Sequence, residues 1–237
     1  MESIVPWLAY NPSCSSAVEL RNLGSREVDA EVEAHKSSGA LVGLVGGGGM
    51  RVHLPAGEHA AYRLEIQETE GAWVRVREMI PSPELSPVLA VSGATDCVAG
   101  DKVHTTTRDV VWPLRNPFFS GDVKAGDDGS IALINASERP ATVSGCYSSG
   151  TLYSNPGEGR PGELRPVCSE VIRELVPPFG TRQFPVSRGA NSHFSLNTRG
   201  DAIVLEMLRP PEAGSKIYRV DSSVTFGEEA PAQNPPP

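Results

Sequence analysis

The sequence predicts an all-β protein built as two tandem, internally duplicated antiparallel β-sandwich domains, immunoglobulin-like or jelly-roll-like. Three observations predict it. Apolar residues recur with a period of two, strand-like blocks recur in the same order in both halves, and Gly and Pro interrupt the chain too often for helices.

The period of two is clearest at residues 28–35. There Val28, Ala30, Val32 and Ala34 alternate with Asp29, Glu31, Glu33 and His35, the pattern of a strand with one buried and one wet face. Residues 50–54 repeat it with Met50, Val52 and Leu54 inward, and residues 62–66 place Tyr62, Leu64 and Ile66 on one side. Over residues 73–77 alternation puts Val74 and Val76 inside and Trp73, Arg75 and Arg77 outside. With 24 Gly and 21 Pro in 237 residues, most windows break before a helix of normal length forms.

The blocks pair in order. "VPWLAYNPSCSS" matches "VVWPLRNPFFSG", and "ELRNLGSREVDAEVEAHKSSGALV" matches "ALINASERPATVSGCYSSGTLY", which sets Asn22 against Asn135. "LPAGEHAAYRLEI" matches "VPPFGTRQFPVSR", "AWVRVREM" matches "AIVLEMLR", and "PVLAVSGATDCV" matches "KIYRVDSSVTFG". Insertions in the second copy near 121–129 and 154–166 explain the growing offset. The domains expected are 1–100 and 101–227, divided in the polar stretch 99–109, with a disordered Pro-rich tail at 228–237.

Four glycines, Gly46 to Gly49, invite a nucleotide-binding reading. A phosphate loop needs Gly-Lys-Ser/Thr and then a helix. Here Met50 and Arg51 follow, then an alternating strand, so the run reads as a hairpin loop. A net charge of -8 argues against nucleic acid and anionic membrane surfaces. No apolar run is long enough to span a membrane. "MESIVPWLAY" lacks the basic-then-apolar signature of a signal peptide. The chain is then either cytosolic or begins after a removed leader, the second being favoured by the cysteines.

Those are Cys14, Cys97, Cys146 and Cys168. Cys146 ends one strand and Cys168 opens the next, so a hairpin brings them together. A bond there would close a Gly/Pro-rich loop and contribute about 3 kcal/mol in the chain-entropy model. The alternative is a set of thiols in a reducing cytosol. Cys14 and Cys97 are not expected to pair, because one follows the first strand and the other lies at the domain's end.

Residues 14–57, "CSSAVELRNLGSREVDAEVEAHKSSGALVGL…MRVHLPAG", resemble the bacterial sensory rhodopsin transducer family in their run of Asn, Gly and acidic residues and their Leu-Pro-Ala turn. The resemblance implies a small β-sandwich with a non-enzymatic interaction role and oligomerisation. It carries no functional residue onto this chain.

Candidate binding residues come from the repeated Trp-Asn-Pro motif and its neighbours. Trp7 and Asn11 recur as Trp112 and Asn116. Each pair forms a core anchor and a turn, or else a sugar contact through stacking and hydrogen bonding. Phe118 and Phe119 are adjacent in a strand, so only one faces the core. With Tyr147 and Tyr153 they offer aromatic surface to a partner. Asp122, Asp127 and Asp128 read as a turn, because a calcium loop's twelfth position falls on Leu133. The five histidines lack zinc spacing. No Gly-x-Ser-x-Gly nucleophile motif occurs, no carboxylate pair stands out, and no cofactor is expected. The function expected is non-catalytic recognition of a protein or glycan, or a structural role, with homo-oligomerisation open. The alternatives are a glycan-active enzyme using loops of the second repeat, or a cytosolic signalling adaptor like the transducer.

Overall fold

The computed structural model describes residues 2–8, 13–44, 50–65, 71–79, 88–123, 128–149, 168, 170–186, 192–209 and 219–221. The elements are all strands. The first nine are β1 (Glu2–Leu8), β2 (Cys14–Asn22), β3 (Val28–Lys36), β4 (Leu41–Leu44), β5 (Met50–Leu54), β6 (His59–Glu65), β7 (Ala72–Glu78), β8 (Leu89–Ala99) and β9 (Lys102–Asp109). The rest are β10 (Leu114–Arg115), β11 (Phe118–Val123), β12 (Asp128–Asn135), β13 (Ala141–Ser149), β14 (Glu170–Val176), β15 (Thr181–Val186), β16 (Ser192–Arg199), β17 (Asp201–Arg209) and β18 (Arg219–Asp221). Among the described residues no helix is long and apolar enough to cross a membrane. The Gly46–Gly49 run, Asn11, Tyr153 and the tail at 228–237 lie outside the described residues.

The chain forms two compact units, Met1–Pro113 with Phe179–Thr181, and Leu114–Pro178 with Arg182–Pro237. Residues 99–109, expected to be a boundary, are instead the β8–β9 hairpin, with Ala99 opposite Lys102 and Cys97 opposite His104. Polarity misled there because β9 is a sheet-edge strand, and edges are polar. Of residues 121–129, expected to hold an inserted loop, 121–123 belong to β11 and 128–129 to β12, and 124–127 lie outside the described residues.

In the first unit one large curled sheet runs β1-β7-β3-β4-β6-β2-β8-β9, with β5 also on β3. In the second, a five-stranded sheet runs β10-β17-β12-β15 with β18 on β17, and a four-stranded sheet runs β11-β16-β13-β14. The pairings β1–β7, β7–β3, β3–β5, β6–β2, β2–β8 and β8–β9 recur in the same chain order as β11–β16, β16–β13, β13–β14, β15–β12, β12–β17 and β17–β18. This order corrects three sequence matches. By pairing, β7 corresponds to β16 rather than β17, and β8 to β17 rather than β18. β1 corresponds to β11, so Trp7 has no counterpart in Trp112. The slip arose because β16, "SHFSLNTR", has too few apolar residues to announce a strand.

Alternation builds both cores. In β2, residues Cys14, Ser16, Val18, Leu20 and Asn22 face inward, opposite Cys97, Thr95, Gly93, Val91 and Leu89 of β8. Val18, Leu20, Ala30, Val32, Leu54, Val74 and Val76 belong to one buried cluster drawn from β1 to β8. Ile131, Leu133, Val143, Ile172, Phe184 and Leu196 form another. Each large member contributes about 1.5–3 kcal/mol by leaving water.

Two disulfides staple the strands. Cys146–Cys168 holds the start of β14 to β13, with Cα atoms 5.4 Å apart. Cys14–Cys97, not expected from the sequence, also forms, with a Cα separation of 4.0 Å. The two residues, 83 positions apart, face each other directly because β2 pairs with β8.

Two glycines should respond differently to the same change. A Cβ at Gly145 would run into the Ser195 carbonyl, which is backbone and cannot swing aside. Gly57 has φ 77° but open space around it. Gly145→Ala should therefore cost about 2–3 kcal/mol of overpacking, and Gly57→Ala about 1 kcal/mol of left-handed strain. Urea denaturation of both variants checks the order, and equal costs would contradict the β13–β16 packing.

Candidate functional site

The strands around β3 and around β13 each carry one core-facing side and one outer side. The outer sides differ sharply in chemistry.

In the first unit the outer side neutralises itself. Across β5, β3, β7 and β1 one row reads Arg51, Glu31, Arg77, Glu2 by strand register. Arg77 donates to Glu31 at 2.8 Å. One strand position further along, Arg75 donates through Nε to Glu33 at 2.9 Å and a second time through Nη2, and it lies 4.0 Å from Glu2. At the other end His53 meets Asp29 at 2.9 Å.

Rings cover the next rung. His35 sits opposite Trp73 and stacks on it with centroids 4.8 Å apart. Phe179 also stacks on His35 at 4.8 Å and lies tilted against Trp73 at 6.4 Å. The Arg75 guanidinium lies 4.6 Å from the Phe179 ring centre, and the Trp73 indole donates to the Phe179 carbonyl at 3.0 Å. Trp73, expected on the wet face, is only 1% exposed. Alternation gives its outward face, with a cover from the other domain or a stack on Arg75 as the expectation; its ring neighbours are His35 and Phe179. Phe179 adopts φ 54°, which costs a non-glycine residue about 1–2 kcal/mol. Two ring contacts and a cation–π contact, each about 0.5–1.5 kcal/mol, offset that cost.

Burial among these rings holds the His35 imidazole below its ordinary value, although the Gly39 carbonyl and Glu33 favour the charged form. Burial alone would raise Glu33, but Arg75 and His35 hold it below the usual carboxylate range.

In the second unit the equivalent row reads Arg173, Ser144, Asn197, Phe118 by register. Both acids of the first-unit row are gone, and Ser144 and Phe118 stand in their places. On β14, Val171 and Leu175 flank Arg173 on the same side and are 63% and 61% exposed. Thr142 and Arg199 continue the surface beyond Leu175. Among the described residues Arg173 has no ion-pair partner. Neighbouring Glu174 points to the opposite side by alternation and is held by Arg182 at 3.1 Å.

The sequence-derived candidates meet this geometry unevenly. Phe118 is on the second-unit face, 37% exposed. Phe119 follows it in β11 opposite Leu196, with its side chain outside the described part. Tyr147 turns inward and packs, half-buried, on the second core. Trp112 lies before β10 and is 58% exposed, so it is not a core anchor. Asn116 does make the expected turn: at φ 49° its Oδ1 accepts from Gly200 N–H at 2.9 Å. Trp7 lies in β1, its side chain outside the described part. Within the second unit, Phe118 is on the outer side and Tyr147 on the core side. Arg173, Val171 and Leu175 were passed over, because "EVIRELV" reads as an ordinary strand until its position at a sheet edge is known.

A separate open groove of about 510 Å³ lies over the outer side of β2 and β8, where Ala90 and Ser92 leave space between Glu19, Arg21 and His59. Among the described residues no three of His, Cys, Asp and Glu stand close enough to hold a metal ion. No protein-family model, curated protein or solved structure matches the chain.

The ring stack makes stability depend on pH. His35 has a lower pKa folded than its ordinary 6.5, so its contribution is complete above that value. It is lost as pH falls through the folded pKa, and Glu33 adds a loss below 4.5. His53, raised by Asp29, acts in the opposite sense, so the informative comparison is between parent and variant. Denaturation measured between about pH 7.5 and 5 should show His35→Gln losing less stability than the parent. Parallel pH profiles would contradict the assignment.

Proposed function

We propose that the chain is a disulfide-stapled recognition module made of two copies of one β-sandwich unit, of which the second binds a protein partner. Each copy groups four strands against four: β1-β7-β3-β5 and β6-β2-β8-β9, joined through β4 into one curled sheet, and β11-β16-β13-β14 and β15-β12-β17-β18, with β10 also on β17. Two observations support the duplication. The pairings recur in order, and Asn22 and Asn135 make matching hydrogen bonds. Asn22 Nδ2 donates to the carbonyls of Arg26, Leu54 and Pro55, while its Oδ1 accepts from Gly24 N–H. Asn135 does the same with Arg139, Val176, Pro177 and Ser137.

The observation that carries the functional reading is the contrast between equivalent rows. In the first, Arg77 is bonded to Glu31, Arg51 stands across from the same acid by register, and rings cover the rung beyond Arg75. The second presents an unpaired arginine between exposed apolar residues on an edge strand, the composition of a partner surface. Two disulfides support an oxidising compartment over the cytosol and count against the cytosolic adaptor. The resemblance of residues 14–57 to the transducer family supports a non-enzymatic interaction role. A second reading, a glycan ligand, draws on the hydroxyl and amide groups of Thr142, Ser144 and Asn197 beside Phe118.

Site-specific photo-cross-linking in the producing cells tests the reading. A benzophenone side chain at position 171 or 175 should yield a protein adduct of one defined mass, absent when the probe is at position 53. No adduct at 171 and 175, or the same adducts at all three positions, would overturn it.

A further inference from the structure

We infer that β14 is the docking edge for one extended peptide strand carrying an acidic residue, with apolar residues two positions before and two positions after it. The inference rests on the recognition reading and names the partner's chemistry. β14 ends the four-stranded sheet, with β13 its one hydrogen-bonded neighbour among the described residues. Its other edge therefore offers main-chain donors and acceptors, which an added strand satisfies.

The side chains then set the sequence of the guest. Val171, Arg173 and Leu175 lie on one side of β14 at two-residue spacing. A strand paired to that edge brings its own alternate side chains opposite them, about 4.5–5.5 Å away between Cβ atoms. Apolar guests cover Val171 and Leu175, and a carboxylate meets Arg173. The first unit places an acid across from the equivalent arginine by strand register, its carboxylate bonded to Arg77. There the equivalent arginine, Arg51, stands opposite Glu31, whereas Arg173 stands opposite Ser144. The acid that the first copy supplies from β3 is missing from β13, and an acidic guest replaces it.

A second copy of this chain fits the edge poorly. Two-fold antiparallel pairing of β14 with itself must centre on Ile172, Arg173 or Glu174. These registers place Glu170 opposite Glu174, Arg173 opposite Arg173, or Glu174 opposite Glu174. Each opposes like charges, which destabilises a cross-strand pair. The Cys146–Cys168 bond anchors the start of β14 to β13, so the edge is held in place before the guest arrives and less ordering cost falls on binding.

The test uses the full chain with its disulfides intact and a synthetic heptapeptide, Thr-Leu-Thr-Glu-Thr-Val-Thr. Binding is followed by NMR shifts and by hydrogen exchange of the β14 amides. The expected result is protection of the β14 amides that point away from β13. Arg173→Glu should weaken binding about tenfold or more, and a Lys-centred peptide should then prefer that variant. Arg173→Ser should abolish the preference between the two peptides. Peptide binding that maps elsewhere, or is indifferent to all three residues at position 173, would overturn the inference. A defined cross-link in cells with no β14 protection overturns the peptide mode but leaves the recognition reading standing. Glycan binding lost in Arg173→Ser, with no peptide binding, likewise replaces the peptide by a sugar. Absence of both cross-link and peptide binding sinks the inference together with the reading beneath it.

Discussion

A buried asparagine at the end of β2, and another at the end of β12, is the constraint on which each unit depends. Asn22 and Asn135 are fully buried, and a buried amide without partners is costly, about 1–3 kcal/mol for each group left unsatisfied. Each finds its partners in two places at once. One is the turn that follows its own strand, and the other is the Pro-containing turn that ends β5 or β14. The main chain of Asn22 adds two bonds, accepting from Gly57 N–H and donating to the Glu58 carbonyl. One side chain thus ties the end of β2 to the β5–β6 connection and fixes the register on either side. The turn it grips takes a positive φ, at Gly57 beside Asn22 and at Phe179 beside Asn135.

Once the scaffold is fixed by that hub, the outer surfaces are free to differ. The same three-strand neighbourhood carries Arg51, Glu31 and Arg77 in one unit and Arg173, Ser144 and Asn197 in the other. In the first set Arg77 satisfies Glu31, and Arg51 faces the same acid by strand register. The second set leaves an arginine available and puts hydroxyls where carboxylates stood. The reading places function in the difference between copies rather than in either fold alone.

Much of this was legible before any coordinates. The alternation over residues 28–35 gave the correct inward set, and matching "ELRN" with "ALIN" paired Asn22 with Asn135. The Leu-Pro and Val-Pro turns matched as well. What stayed hidden needed strand order. Cys14 and Cys97 look remote in sequence, yet they are opposite each other once β2 pairs with β8. Trp73 and Arg75 alternate outward, and periodicity carries no information about what lies over that face. Val171, Arg173 and Leu175 become a surface only when β14 is known to be an edge. Trp112 misled in the other direction: it shares a Trp-x3-Asn-Pro sequence with Trp7, yet Trp7 lies in β1 and Trp112 lies before β10.

The most direct measurement is the unfolding free energy of Asn22→Asp and Asn135→Asp at neutral pH. The substitution keeps the size of the side chain and turns its donor into a carboxylate oxygen facing three carbonyls. The account predicts that each variant loses about 3 kcal/mol or more, and that the two losses are alike, because the two residues hold matching sets of groups. Losses within about 0.5 kcal/mol of zero, the range of an ordinary surface change, would contradict the claim that these asparagines hold the fold.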